Sequence, residues 1–361
     1  MDGPSDIMRP GGPPSSDSAS ISSFSQIEGF VKPDRILEYT RFGPWKNYSR
    51  ITTLEKAFLG AWYIALLLSL GLTFYKLATS TSGNPDTTTY GAILIIAALF
   101  SFFYVTTGVH QEQPHEMIAL CITNGIVLGY VVINFVNSRA RHGGKIDEMK
   151  LARLVFTSVF SALFLPLSLY LARRYWTHKT LITFAVGSIN PETQAMAQVL
   201  FMFLSALTFD LQLQLNFLIL VMRQGFESAN LTQALILISG ILILIMWTMV
   251  GRFAARRECK NMLLGFVILS FPNLIYAVFA YVTLAKTKTN PEMFSFTLLC
   301  GGSAVLMRML IFVLTYLLYR NFGKGLKDSI FQWHLPAEEI ARRRRSTFAQ
   351  VSTVNTAVDD N

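Results

Sequence analysis

Apolar residues run almost unbroken through eight stretches of the chain, at about Lys56–Leu77, Tyr90–Val109, Glu116–Asn137, Leu151–Leu171, Ala195–Met222, Leu231–Gly251, Met262–Ala285 and Met293–Tyr319. A helix crossing the hydrocarbon core of a bilayer needs roughly 20 mainly apolar residues, and each stretch supplies about that many. The pattern predicts an all-α fold: a polytopic transmembrane helical bundle of about eight spans over residues 56–320, with disordered N- and C-terminal tails. Residues 1–26 are rich in Ser, Pro, Gly and Asp and bury too little apolar surface to offset the entropy of ordering. Residues 27–55 mix Phe30, Ile36, Leu37, Tyr39, Phe42 and Trp45 with Lys32, Arg35, Arg41, Lys46 and Arg50, a composition suited to the headgroup layer. Residues 321–361 form a tail with a polybasic run.

Several span starts carry their own punctuation. Asn84-Pro85-Asp86, Asn190-Pro191-Glu192 and Asn290-Pro291-Glu292 each precede an apolar run, as does Gln113-Pro114-His115-Glu116. Asn caps a helix, Pro fits the first helical position where no amide bond is lost, and the acid meets the positive end of the helix dipole. The recurring triplet reads as capping rather than as an internal repeat, because its copies would fall on opposite sides of the membrane.

Composition narrows the class further. The 361 residues are 52% hydrophobic and only 15% charged, with a mean hydropathy of +0.41, too apolar for an ordinary soluble domain. The net charge of +9 sits mostly in loops and tails, where topology and anionic lipid account for it better than nucleic acid. Cys121, Cys259 and Cys300 form no paired framework and no Cys-x-x-Cys motif. The first apolar run follows more than fifty residues of polar chain, as in a signal-anchor span and not a cleaved leader.

Lys and Arg near span ends set orientation. With eight spans, both tails and the even-numbered loops share one side, which holds Arg41, Lys46, Arg50, Arg173, Arg174, Lys179, Arg252, Arg256, Arg257, Lys260, Arg320 and the Arg342–Arg345 run. That side is expected to be cytosolic. The third loop dissents, since Arg139, Arg141, Lys145 and Lys150 would have to be translocated.

Candidate chemistry lies where lipid penalises it. The fifth span carries Asp210, Gln212, Gln214 and Asn216 near its middle. At 100° per residue Asp210 and Gln214 share one face, and Gln198, Ser205, Gln212 and Asn216 share roughly the opposite one. Lipid on both sides is excluded, so this helix is expected at the centre of the bundle, against protein or a water-filled cavity. Arg308 lies mid-span in the eighth stretch, on a narrow face with Thr297, Gly301, Ala304 and Thr315, and is the natural partner of Asp210. Asn124 and Asn273 are expected to join this polar centre from the third and seventh spans. Pro272 and Pro166 lie within spans, where each removes a backbone bond, and Asn273 is placed to satisfy the carbonyl freed by Pro272.

His110, Glu112, His115 and Glu116 crowd the turn between the second and third spans, with His178 expected on the same side. These are metal-ligand residue types, but their spacing matches no metal motif, and a helix-start acid with interfacial histidines explains them more cheaply. No cofactor is implied. In the tail, Arg342, Arg343, Arg344 and Arg345 suit anionic lipid, and Ser346 and Thr347 directly follow them in the pattern of basophilic phosphorylation sites. The expected partners are the bilayer, anionic lipid at the tail, and a small solute or ion. The leading reading is a transporter-like or channel-like protein; a receptor-like or scaffold protein acting through its tails is second, and an intramembrane metal-dependent enzyme third.

Overall fold

The computed structural model describes residues 37–40, 43–79, 85–141, 148–178, 191–221, 231–286 and 291–324. Eight helices follow in order: α1 Thr53–Thr79, α2 Pro85–His110, α3 Pro114–Arg141, α4 Glu148–His178, α5 Pro191–Val221, α6 Leu231–Arg257, α7 Lys260–Lys286 and α8 Pro291–Asn321. Seven are long and apolar enough to cross a membrane, and α7 contributes a shorter apolar segment, Lys260–Tyr276. Their outward faces are apolar too: Leu67, Leu163, Met246, Leu264 and Leu306 are each more than 60% exposed. A water-soluble bundle would not leave so much hydrocarbon uncovered, and the set fits an integral membrane protein. Arg342–Arg345, Ser346 and Thr347, together with residues 1–26 and 325–361 of the predicted tails, lie outside the described residues, whereas Asn321 closes α8 and Phe322 is buried.

Local chemistry explains where the helices begin. Proline occupies the first position of α2, α3, α5 and α8, where its missing N–H costs no helical bond. α1 starts on a reciprocal cap: Thr52 Oγ1 accepts from Glu55 N at 3.4 Å while Glu55 Oε2 accepts from Thr52 N at 2.9 Å. Pro166 and Pro272 sit inside continuous helices α4 and α7. Asn273 does not play the part expected of its amide nitrogen, which is buried without a hydrogen-bond partner.

The α2–α3 and α6–α7 connections are tight turns of one design. Gln113 N donates to Gly108 O at 3.1 Å and Cys259 N to Ala254 O at 3.3 Å, the long-range bond that closes a helix end through one left-handed residue. That residue is Glu112 at φ 46° in the first turn and Glu258 at φ 51° in the second. Close packing follows within each hairpin. A Cβ on Gly108 would lie 2.2 Å from Met117 Cε, and one on Gly251 2.6 Å from Phe266.

In the first half α1, α2, α3 and α4 pack as sequential neighbours; in the second, α5 to α8 do the same and α5 also closes directly onto α8. The halves meet through α5 against α2 and α3, and α8 against α3. α5 is therefore the shared central helix, with 67% of its apolar window buried against 22–56% for the other candidate spans. Ahead of the bundle, β1 (Leu37–Thr40) and β2 (Gly43–Lys46) form an antiparallel hairpin with Leu37 opposite Lys46, an element that the mixed basic and aromatic segment did not announce.

Candidate functional site

Both polar faces of α5 are occupied. On one, Asp210 is fully buried and its Oδ2 lies 2.8 Å from Nη2 of Arg308, which is 1% exposed. The contact belongs to a seam on α8 where Gly301, Ala304, Arg308 and Thr315 are all buried, small residues bringing the two backbones together. The guanidinium carbon also lies 3.7 Å from the centre of the Trp247 ring on α6, so the cation is held between a carboxylate and a π face. Gln214, one turn along, is close enough to interact with Asp210. Neither carboxylate oxygen nor any guanidinium nitrogen makes a hydrogen bond of good geometry. The pair is thus a charge contact with unused hydrogen-bonding capacity on both partners.

The opposite face of α5 looks into the first half. Gln212 Oε1 accepts from Tyr104 Oη of α2 at 2.9 Å and from Thr123 Oγ1 of α3 at 3.1 Å. Ser205 donates to Glu116 Oε1 of α3 at 2.9 Å, while Glu116 Oε2 is buried without a partner. Arg252 of α6 donates to Thr208 Oγ1 and lies within electrostatic reach of Glu116. Asn216 Oδ1 is buried and unpartnered further along. At the other end Gln198 lines a small recess of about 20 Å³ with Gln113, His115 and Trp176. At 1.5 Å per residue, Gln198 and Asn216 are about 27 Å apart along the helix, close to the hydrocarbon thickness of ~30 Å. Polar contacts thus cross the boundary between the halves at Ser205 and Gln212, with Gln198 and Asn216 extending the stripe along α5 on either side.

Asp210 and Arg308 are brought together, and Gln212 and Asn216 occur on the face opposite them, as the helical spacing required. Asn124 does not join that centre. Its Oδ1 accepts from Ser161 of α4 at 3.1 Å, within the first half. Asn273 makes no bond through its amide nitrogen, so neither asparagine completes the α5–α8 pair.

The His/Glu turn is divided among separate partners. His110 Nδ1 lies 2.8 Å from Thr106 O, and its ring packs against Trp45. Glu112 accepts from Lys46 at 2.8 Å, His115 packs against Trp176, and Glu116 turns inward to Ser205. His178 closes α4. Among the described residues no three His, Cys, Asp or Glu side chains gather as a metal would require. The N-terminal hairpin is what holds this end: Lys46 bridges Glu112 and Glu55, the latter at 3.3 Å, and Tyr175 of α4 donates to Glu55 Oε1 at 3.1 Å.

Sequence reasoning missed Glu116, Arg252, Tyr104 and Thr123 as parts of the inter-half contacts. Glu116 and Arg252 lie near helix ends, where an acid reads as a cap and an arginine as a topology signal. The available clue was the seven-residue spacing of Gln198, Ser205 and Gln212, two helical turns apart and thus a single stripe.

One family model matches the chain, over residues 42–173 and 186–317, and it is described as a domain of unknown function, DUF7789. The two matched stretches are equal in length, one taking in α1 to α4 and the other α5 to α8. The chain belongs to this family. No curated protein and no solved structure matches it.

Proposed function

We propose that this member of the DUF7789 family is a transporter-like or channel-like membrane protein that carries a small solute or ion along the boundary between its two four-helix halves. The observation that supports this most is the polar stripe of α5, in which Ser205 bonds Glu116 and Gln212 bonds Tyr104 and Thr123 across that boundary. Polar groups at bilayer depth are expensive and mark pathways or binding sites. Interfaces between repeated bundles are where many transporters hold their substrate. The Asp210–Arg308 pair on the other face fixes α5 to the second half, so that relative movement of the halves would open the stripe without unpairing those charges. All eight helices cross the bilayer in this reading, with both termini and the Glu112 and Glu258 turns in the cytosol.

Purified protein in liposomes tests it. Flux of protons, Na⁺, K⁺ or Cl⁻ above that of protein-free vesicles is expected, falling when Gln212→Leu or Glu116→Gln removes part of the stripe. Flux at the protein-free level for every solute tried, or flux indifferent to both substitutions, would reject the pathway.

A second reading, a scaffold that signals through its tails, is favoured by one observation: Lys46 ties the segment preceding α1 to both Glu55 and Glu112. Partner binding to the N-terminal segment that changes with Lys46→Ala, in a protein without flux, would select it.

A further inference from the structure

The two tight turns put the halves in register. Their matching hydrogen bonds equate Gly108 with Ala254 and, through Met117 N to Gln113 O and Leu263 N to Cys259 O, Met117 with Leu263. Counting back seven residues along uninterrupted helices places Ser101 of α2 opposite Trp247 of α6. Counting forward seven places Asn124 of α3 opposite Ser270 of α7. The buried positions of α4 (Ser161, Phe164, Ser168, Leu171, Tyr175) have the spacing of those on α8 (Arg308, Ile311, Thr315, Leu318, Phe322), which sets Ser161 against Arg308.

In the second half this centre is full. The Trp247 indole donates from Nε1 to Ser270 Oγ at 2.7 Å, stacks on Phe266 at 4.6 Å between centroids and lies under Arg308. In the first half Ser101 leaves the indole's place vacant. A partly open cavity of about 70 Å³ lies there, among Trp62, Phe156, Phe160 and Phe164, with Asn124 and Ser101 on its wall. α1 and α4 meet across it through side chains, Trp62 on Phe164 at 5.2 Å, where α5 and α8 pack directly.

The wall is polar as well as aromatic. Ser101 is buried, its relative exposure being 5%, and the indole Nε1 of Trp62 on the same wall is buried without a hydrogen-bond partner. Ser69 and Thr157 also line the cavity, and Asn124, whose Oδ1 accepts from Ser161, adds its amide. Thr107, Thr248 and Thr315, buried elsewhere in the bundle, bond back to their own helices. Buried polar groups without partners are uncommon and call for an explanation, and the Trp62 N–H borders this open space.

We propose that the centre of the first half is a binding site for a small neutral aromatic molecule carrying one hydroxyl or ring N–H, which takes the place that Trp247 fills in the second half. Its ring lies among Trp62, Phe160 and Phe164, and its polar atom meets Asn124 and Ser101. No charged side chain lines the cavity, so an ion would find no counter-charge. The volume is about half that of the engineered ~150 Å³ cavity that takes up benzene; with one side open it admits a single ring whose edge stays in the mouth.

Indole and phenol are the probes. Full-length protein in nanodiscs, titrated with 5-fluoroindole and followed by fluorine NMR, is expected to show saturable one-to-one binding that unlabelled indole and phenol displace and decanol does not. Ser101→Trp, which rebuilds the second-half arrangement, should abolish binding. Asn124→Leu, which keeps the volume and removes the amide, should weaken it about tenfold. Should Ser101→Trp fail to fold, Ala98→Leu narrows the same cavity more gently and should also weaken binding. The proposal is overturned by non-saturable partitioning alone, by binding unchanged in Asn124→Leu and Ala98→Leu, or by displacement with decanol as effective as with phenol, which would make the cavity a site for an alkyl chain.

Discussion

Asp210 of α5 and Arg308 of α8 face one another at 2.8 Å with essentially no solvent exposure on either side chain. Removing one partner of such a pair leaves a buried charge uncompensated, at a cost of about 3–5 kcal/mol, whereas replacing both can be close to neutral. Asp210→Asn is therefore expected to destabilise the protein by several kcal/mol, and the double change Asp210→Asn with Arg308→Gln by clearly less. Thermal unfolding of the four members of the cycle in detergent measures the coupling. Additive losses would mean that the two charges do not depend on one another.

Ser205 is the hydroxyl donor to Glu116, whose second oxygen is already without a partner. Ser205→Ala should cost about 1–3 kcal/mol, and Glu116→Gln should recover part of that loss in the Ser205→Ala background because a neutral amide is cheaper to bury. Unfolding temperatures of the single and double variants check this order.

Lys46 joins the chain ahead of α1 to Glu55 and Glu112. Lys46→Ala should leave the bundle folded, since Glu55 keeps Thr52 N and Tyr175 Oη, but release the preceding hairpin. Limited proteolysis is expected to cut near residues 37–46 faster in the variant, with an unchanged pattern in the helices. Equal cutting rates would show that the hairpin is held by other contacts, the tilted packing of Trp45 on His110 foremost.

The tail makes a prediction independent of the bundle. Arg342–Arg345 attract anionic lipid by about 1 kcal/mol each near the surface, while Ser346 and Thr347 doubly phosphorylated add roughly −3 to −4 charges. A peptide of residues 336–361 should bind vesicles containing phosphatidylserine, leave them in high salt, and bind distinctly less when doubly phosphorylated. Equal binding of both forms would leave the arginines as topology determinants alone.

What could be read in advance follows the size of the penalties involved. Asp210 and Arg308 were legible as a pair because mid-span charges are so costly that few partners remain, and a wheel placed each on a defined face. The centrality of α5 followed from its two polar faces. Glu116 and Arg252 were not legible, because near a span end the same residue types are cheap and common. Asn124 was assigned to the wrong centre: an amide on a helix shows which way it faces on that helix but not which neighbour it meets, and here the neighbour is Ser161. The correspondence of Ser101 with Trp247 was hidden for a different reason. It rests on backbone bonds in two turns whose residues differ, and the recurring Asn-Pro-acid triplets, at the starts of α2, α5 and α8, are not at equivalent positions of the two halves.

The central claim is that the Gln198–Asn216 stripe of α5 lines an aqueous path, and thiol accessibility measures that most directly. In a background with Cys121, Cys259 and Cys300 replaced, single cysteines at Ser205 and Gln212 on the stripe, and at Phe203 and Leu213 away from it, would be exposed to a membrane-impermeant methanethiosulfonate reagent in proteoliposomes. All four positions are buried in the bundle, so burial alone does not separate them. Modification of the Ser205 and Gln212 cysteines, with those at Phe203 and Leu213 protected, is the predicted result. Protection of all four throughout a transport cycle, or modification without regard to the stripe, would contradict a path along this face.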